Sequence, residues 1–153
     1  MKILGLDVGD KRIGIAITDE LGFMAHSLKV IERKNMADDV LQIKELFKDH
    51  QIEKIVIGLP LKLDGSSSIQ TEKVKEFISY FEKSFTVPII AWDERLTTKQ
   101  AERYLIQMET KKKKQKEIID KLSAACILQS YLDTLPSKKK FYEEEEGEQD
   151  ANF

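Results

Sequence analysis

The residues with the greatest chemical reach are carboxylates that fall at the ends of predicted elements. Asp7 closes the first apolar strand, the pair Asp93-Glu94 closes the last one, and Asp120 lies early in the final helix. A carboxylate at the inner end of a buried strand is costly unless it is paired, protonated or bound to a metal. Asp also caps half-exposed turns, so Asp7 alone leaves both readings open. Strand ends on the carboxyl side of a largely parallel sheet lie together, and a final helix can pack across them. Three negative charges would then share one small space. At about 4 Å each pair repels by roughly 4 kcal/mol at an intermediate dielectric. A divalent cation is the simplest relief, and oxygen-only ligation without His or Cys suits Mg²⁺ or Mn²⁺. Asp93 and Glu94 are neighbours on a strand end, where side chains alternate faces. Only one of them should point inward, and the sequence leaves open which.

The elements that must position these groups are legible from patterning. Lys2 to Leu6 runs into Asp7-Val8-Gly9-Asp10-Lys11-Arg12 and then Ile13 to Asp19, two apolar runs joined by a Gly/Asp/Lys turn. That is a β-hairpin, its first strand apolar enough to be buried on both faces. Phe23 to Glu32 predicts a third antiparallel strand after a turn at Leu21-Gly22. Asp38 to His50 carries a helical stripe, with Asp38 as N-cap or first-turn acid. Glu53 to Gly58 is a buried strand delivered into a loop, so strand, helix and strand imply a parallel pair with a crossover helix. The stretch 61–68 (LKLDGSSS) predicts a mobile loop beside a site. Helix over 70–83 and strand over 87–92 follow. Thr97 or Thr98 can cap a helix over 99–108. Lys111 to Lys114 with Lys116 form the densest positive run, which reads as a solvated connector or as a nonspecific backbone contact. A last helix spans about 115–135, with Ser123-Ala124-Ala125-Cys126 small enough to pack closely on a sheet.

Composition narrows the class. The 153 residues predict one domain over 1–135 and a disordered acidic tail over 136–153 that lacks the apolar content to fold. The net charge of −2 divides into −3 on that tail and +1 on the domain, so nucleic-acid binding would have to come from local clusters. One cysteine, Cys126, excludes an internal disulfide and a cysteine-built zinc site. His26 and His50 show no metal-type spacing. With no apolar run approaching a membrane span and no signal-like opening, a soluble, cytoplasmic protein is expected.

Four stretches, in order and spacing, resemble one family. They are Asp7-Val8-Gly9-Asp10-Lys11-Arg12-Ile13-Gly14-Ile15-Ala16, then Gly58-Leu59-Pro60-Leu61 with Asp64-Gly65, then Asp93-Glu94-Arg95-Leu96-Thr97-Thr98, then Asp120 with Ser123-Ala124-Ala125 and Ile127 to Leu132. Together they are similar to the YqgF family, also called RuvX, within the ribonuclease H-like nucleases, and the likeness covers about Lys2 to Leu135. The resemblance implies an α/β ribonuclease H-like fold: a five-stranded mixed sheet, three antiparallel strands first, with helices on both faces. It also implies a divalent-metal nuclease, usually assigned to maturation of the 5′ end of 16S ribosomal RNA. Likeness to the Holliday junction resolvase RuvC supports an alternative role on branched DNA. By position, Asp7, Glu94 and Asp120 fall where the acidic metal ligands belong. Gly58 falls where many relatives keep a further carboxylate, and Glu94 would have to serve instead.

On this reading Asp7 bridges two cations, with Glu94 and Asp120 as one-sided ligands, and the products carry 5′-phosphate and 3′-hydroxyl. Asp120 stays ionised near a helix N-terminus. Lys11, Arg12 and Arg95 suit phosphate positioning, Arg through a bidentate fork, although Arg95 could instead pair with Asp93 or Glu94. Thr97 and Thr98 could bond the nucleic-acid backbone, with helix capping as their other use. Trp92 reads as core. A resolvase normally cuts as a dimer, and no self-complementary patch is evident, so RNA and a monomer are expected. A sugar-kinase or actin-like ATPase shares the hairpin but needs a second lobe that this length cannot supply. A non-cleaving nucleic-acid-binding factor is the other rival.

Overall fold

A computed structural model describes residues 1–97 and 115–136, the side chains of 115–121 excepted. Five strands form one sheet in the order β3-β2-β1-β4-β5, with β1 Lys2–Val8, β2 Arg12–Thr18, β3 Ala25–Glu32, β4 Ile52–Leu59 and β5 Ile89–Asp93. The strands β1, β2 and β3 are antiparallel, whereas β4 pairs parallel to β1 and β5 parallel to β4. This is the mixed sheet that the apolar runs and the crossover helix imply.

Alternation along the strands sorts the apolar side chains into two layers. Leu4, Leu6, Ile13, Ile15, Ile55 and Ile57 face helices α1 (Met36–Asp49) and α2 (Ile69–Ser84), where Val40, Ile43, Val74, Phe77 and Phe81 complete one core. Ile3, Ala16, Val56, Ile90 and Trp92 face the opposite way, onto Leu122, Ala125, Leu128, Tyr131 and Leu132 of helix α3 (Gln115–Leu132). Phe77 and Phe81 stack with ring centroids 4.0 Å apart against the sheet.

Close approach of α3 depends on missing side chains. A Cβ on Gly5 of β1 would stand 2.7 Å from Leu128 Cβ and 3.1 Å from the Ala124 carbonyl. Such distances admit only glycine while the helix stays where it is. The small-residue patch of the final helix is thus used as its composition implies. Gln129, buried in α3, locks the start of β3: its Oε1 accepts from Ala25 N at 2.9 Å, and its Nε2 donates to the Phe23 carbonyl at 3.1 Å.

Several boundaries move from the expected ones, each for a local reason. Helix α1 starts at Met36 because Asn35, whose side chain accepts from Asp38 N at 2.8 Å, is the N-cap; Asp38 is a first-turn acid. Strand β4 extends to Leu59, and β5 begins at Ile89, after Pro88. The loop 61–68, expected to be mobile, folds on itself. Leu61 bridges Ser67, Asp64 Oδ1 accepts from Ser66 N at 2.9 Å, and Gly65 sits at φ +88°, where only glycine is unstrained. Ser68 and Thr71 then form a reciprocal cap on α2, and Thr71 Oγ1 donates to the Pro60 carbonyl. The helix over 99–108, lysines 111–114 and the tail from 137 lie outside the described residues. Of Lys116 only the helical backbone is described.

Candidate active site

Asp7 and Glu94 both lie on the face of the sheet that carries α3, where the Asp7 charge acts on Glu94. In β1 the side chains of Ile3, Gly5 and Asp7 share that face, and Asp7 pairs with Gly14 of β2. A Cβ on Gly14 would lie 3.6 Å from Ala124 Cβ and 3.8 Å from Asp7 Cβ, so α3 crosses beside Asp7 through small residues. Asp120 stands in α3 one helical turn before Ala124. Its side chain lies outside the described part.

Glu94 reaches the same face from the neighbouring edge. After Trp92 and Asp93 the chain enters a single 3-10 turn, Glu94–Leu96. Asp93 caps that turn, accepting from Arg95 N at 2.9 Å. Trp92 faces α3: its Nε1 donates to Ser130 Oγ at 3.1 Å, its ring meets Tyr131 edge-on at 5.4 Å, and Ser130 Oγ donates to the Leu96 carbonyl at 2.9 Å. Trp92 is core, as its surroundings in the sequence suggest. Asp93 is aimed away and gripped by the Arg95 fork, Nε and Nη2 donating at 3.1 and 2.7 Å. Arg95 holds the Asp93 carboxyl below the usual range. Glu94 is left to face inward, over Gly58 of β4: a Cβ there would lie 2.7 Å from Glu94 Oε1.

The electrostatics follow from this placement. Burial pushes the Asp7 carboxyl up. Burial, the Asp7 charge and the Asp93 charge push Glu94 up to about 7. Neither Asp7 nor Glu94 has a hydrogen-bond or ion-pair partner among the described residues. Two half-buried carboxylates repelling one another without a cation form a donor set that fits a hard divalent ion. No group of three His, Cys, Asp or Glu side chains able to hold a metal occurs among the described residues. The described residues supply two candidate ligands, and the third, Asp120, is the one whose side chain falls outside them.

The predicted nucleic-acid contacts divide. Lys11 and Arg12 are exposed at the β1–β2 turn, next to the Asp7 strand end. Arg95 is committed: besides its fork on Asp93, Nη1 donates to the Leu63 carbonyl at 3.2 Å and packs on Gly65, bracing the 61–68 loop. Pairing with Asp93 was one of the two uses its sequence context allowed. Thr97 follows the 3-10 turn, its N donating to the Glu94 carbonyl at 3.1 Å. Thr98 lies outside the described residues.

Sequence reasoning missed a support on the other side of the turn. Arg33 Nη1 donates to the Gly9 carbonyl at 2.7 Å, its Nε to Asp39 Oδ2 at 2.9 Å, and its guanidinium lies 5.2 Å from the Phe77 ring centroid. Asp39 is 0 % exposed. Gln70 Nε2 reaches the Val8 carbonyl at 3.4 Å. The carbonyls that end β1 are thus held from behind while Asp7 faces forward. No local pattern marks Arg33; an acid inside the apolar stripe of α1, Asp39, was the available signal.

Comparison with known proteins identifies the family. Residues 1–134 match the RuvX family, described as Holliday junction resolvase. A protein of Syntrophus aciditrophicus named "Putative pre-16S rRNA nuclease" is 48% identical over 139 residues, 91% of this chain and 93% of its own. One of Halothermothrix orenii with the same name is 46% identical over 132 residues, 86% of this chain and 94% of its own. Among solved structures, Thermus thermophilus RuvC in complex with a Holliday junction substrate superposes with a TM-score of 0.57 at 16% identity, over 86% of this chain and 94% of that one. The fold is therefore the ribonuclease H-like one that the motifs imply. Among the described residues no helix is long and apolar enough to cross a membrane. By the match over residues 1–134 and by the identity of these relatives, the chain belongs to the RuvX family of nucleases.

Proposed function

We propose that the chain is a divalent-metal-dependent nuclease that trims the 5′ end of pre-16S ribosomal RNA, acting as a cytoplasmic monomer through one domain over 1–135. The observation that carries the reading is the pair of unpartnered, half-buried carboxylates, Asp7 and Glu94, on one face of the sheet. Asp7 and Glu94 would hold Mg²⁺ or Mn²⁺ from the sheet, with Asp120 of α3 as the third ligand of the proposed set. A cation held there would supply Lewis acidity toward the attacking water and the leaving 3′ oxygen. The chain itself fixes the geometry: Arg33 and Gln70 hold the Gly9 and Val8 carbonyls, the 3-10 turn aims Glu94, and α3 closes the face through Gly5 and Gly14. Lys11 and Arg12, exposed beside Asp7, contact substrate phosphates, with a salt dependence set by their number. Arg95 serves the site by bracing the 61–68 loop.

The family description favours a second substrate, branched DNA. One experiment separates the two. Purified protein is incubated with Mn²⁺ or Mg²⁺ and either an end-labelled pre-16S RNA or a labelled four-way DNA junction. Metal-dependent trimming of the RNA, with 5′-phosphate products, is expected. Symmetric nicking of the junction alone would transfer the assignment to a resolvase, and binding without cleavage of either would overturn the nuclease reading.

A further inference from the structure

The space above Gly58 is filled by another residue's carboxylate. In β4 the residues Val56 and Gly58 face α3, and Gly58 pairs with Trp92 of β5 while Ile57 lies opposite Leu6 of β1 on its other side. At the next step of that ladder Gly58 and Asp7 stand on adjacent strands and face the same way. A side chain at 58 would therefore project into the site. Instead, the position of its Cβ is 2.7 Å from Glu94 Oε1, 3.1 Å from Glu94 Cγ and 2.6 Å from Ile127 Cδ1 of α3. Real Cβ atoms essentially never come as close as 2.6 or 2.7 Å, and the 3.1 Å separation is tight enough that the neighbour must give. Ile127 can swing its terminal methyl, and the Glu94 carboxylate would have to leave its present place as well.

From this we infer that Gly58 is the seat of Glu94: the absent side chain of β4 lets a carboxylate from the 3-10 turn after β5 occupy the space into which a side chain at 58 would project. A side chain at 58 and the present placement of Glu94 exclude one another. Geometry names the residue that would substitute. An aspartate carboxyl oxygen lies about 2.4 Å from its own Cβ, close to the 2.7 Å separating the Gly58 Cβ position from Glu94 Oε1. Aspartate at 58, with Glu94 cut back, has the reach to carry an oxygen to that point; glutamate reaches further. Gly58 is thus a positioning residue acting through Glu94, and the inference rests on the reading of Glu94 as a cation ligand.

The test is a carboxylate relocation read by Mn²⁺ calorimetry on full-length protein, with melting temperature as the fold control. Glu94→Ala loses affinity. Gly58→Ala loses about 10-fold to 100-fold, the usual cost of disturbing the support of a ligand. Gly58→Asp combined with Glu94→Ala returns to within about 10-fold of the parent, and a crystal structure of metal-free Gly58→Ala shows the Glu94 carboxylate displaced. If Glu94→Ala binds Mn²⁺ like the parent, the ligand reading of Glu94 fails. If Glu94→Ala loses binding while Gly58→Ala keeps it, or the double variant binds no better than Glu94→Ala alone, the seat is overturned and the ligand reading stands.

Discussion

Removing the charge of Glu94 should stabilise the metal-free protein and abolish its response to metal. The carboxyl is raised from 4.5 to about 7 by burial and by the charges of Asp7 and Asp93. Below pH 4.5 Glu94 is neutral whether the chain is folded or not, and no penalty arises. As pH rises through 7 the folded state must carry the charge, and that stability is lost. At about 1.4 kcal/mol per pH unit, the interval corresponds to roughly 3 kcal/mol. Glu94 is half open to solvent, so screening reduces this to about 1–2 kcal/mol. Glu94→Gln keeps the shape and removes the penalty. In EDTA at pH 8 it should melt about 3–6 °C above the parent, a gap that narrows toward pH 4. Saturating Mn²⁺ should invert the order, since a cation bound only by the folded state at 100 times its Kd adds about 2.7 kcal/mol to the parent and little to the variant. Differential scanning calorimetry across pH, with and without Mn²⁺, reads both effects. A variant that melts below the parent in EDTA at pH 8, or that gains as much from Mn²⁺, would refute the reasoning.

Asp7→Asn should reduce metal-dependent cleavage of the labelled RNA to background while melting no lower than the parent, because a half-buried charge without a partner is removed; normal cleavage would contradict the site. Arg33→Ala strips the partner of fully buried Asp39 and should cost about 3–5 kcal/mol in urea unfolding at pH 7. That loss shrinks at low pH as Asp39, whose carboxyl burial already pushes up, takes a proton. Gly5→Val forces α3 off the sheet, where Leu128 Cβ lies 2.7 Å from the added atom. It should cost about 1–3 kcal/mol or more and weaken Mn²⁺ binding in the same titration.

What the sequence disclosed depended on whether the signal was local. The hairpin over Lys2–Asp19 and the buried strands ending at Asp7 and Gly58 are continuous apolar runs, and periodicity alone identifies them. The choice between Asp93 and Glu94 needed the face assignment of Trp92, which is set by Ser130 and Tyr131 far along the chain. Alternation said that only one could point inward; the Arg95 fork on Asp93 decides which. The loop 61–68 looked mobile from its Gly and Ser content, yet an Asx turn, a positive-φ Gly65 and Arg95 close it. Glycines were the least legible. Gly5 and Gly14 have no side chain to classify, and their meaning lies in what approaches them, Leu128 and Ala124; the resemblance tied Gly58 to Glu94, but not the close approach of that carboxylate.

The shared cation is tested most directly by a crystal of the full-length protein grown in Mn²⁺ and measured at the manganese absorption edge. An anomalous peak within bonding distance of both the Asp7 and the Glu94 carboxylates is the predicted result. Manganese bound elsewhere on the surface, with Asp7 and Glu94 bare at saturating metal, would contradict the account.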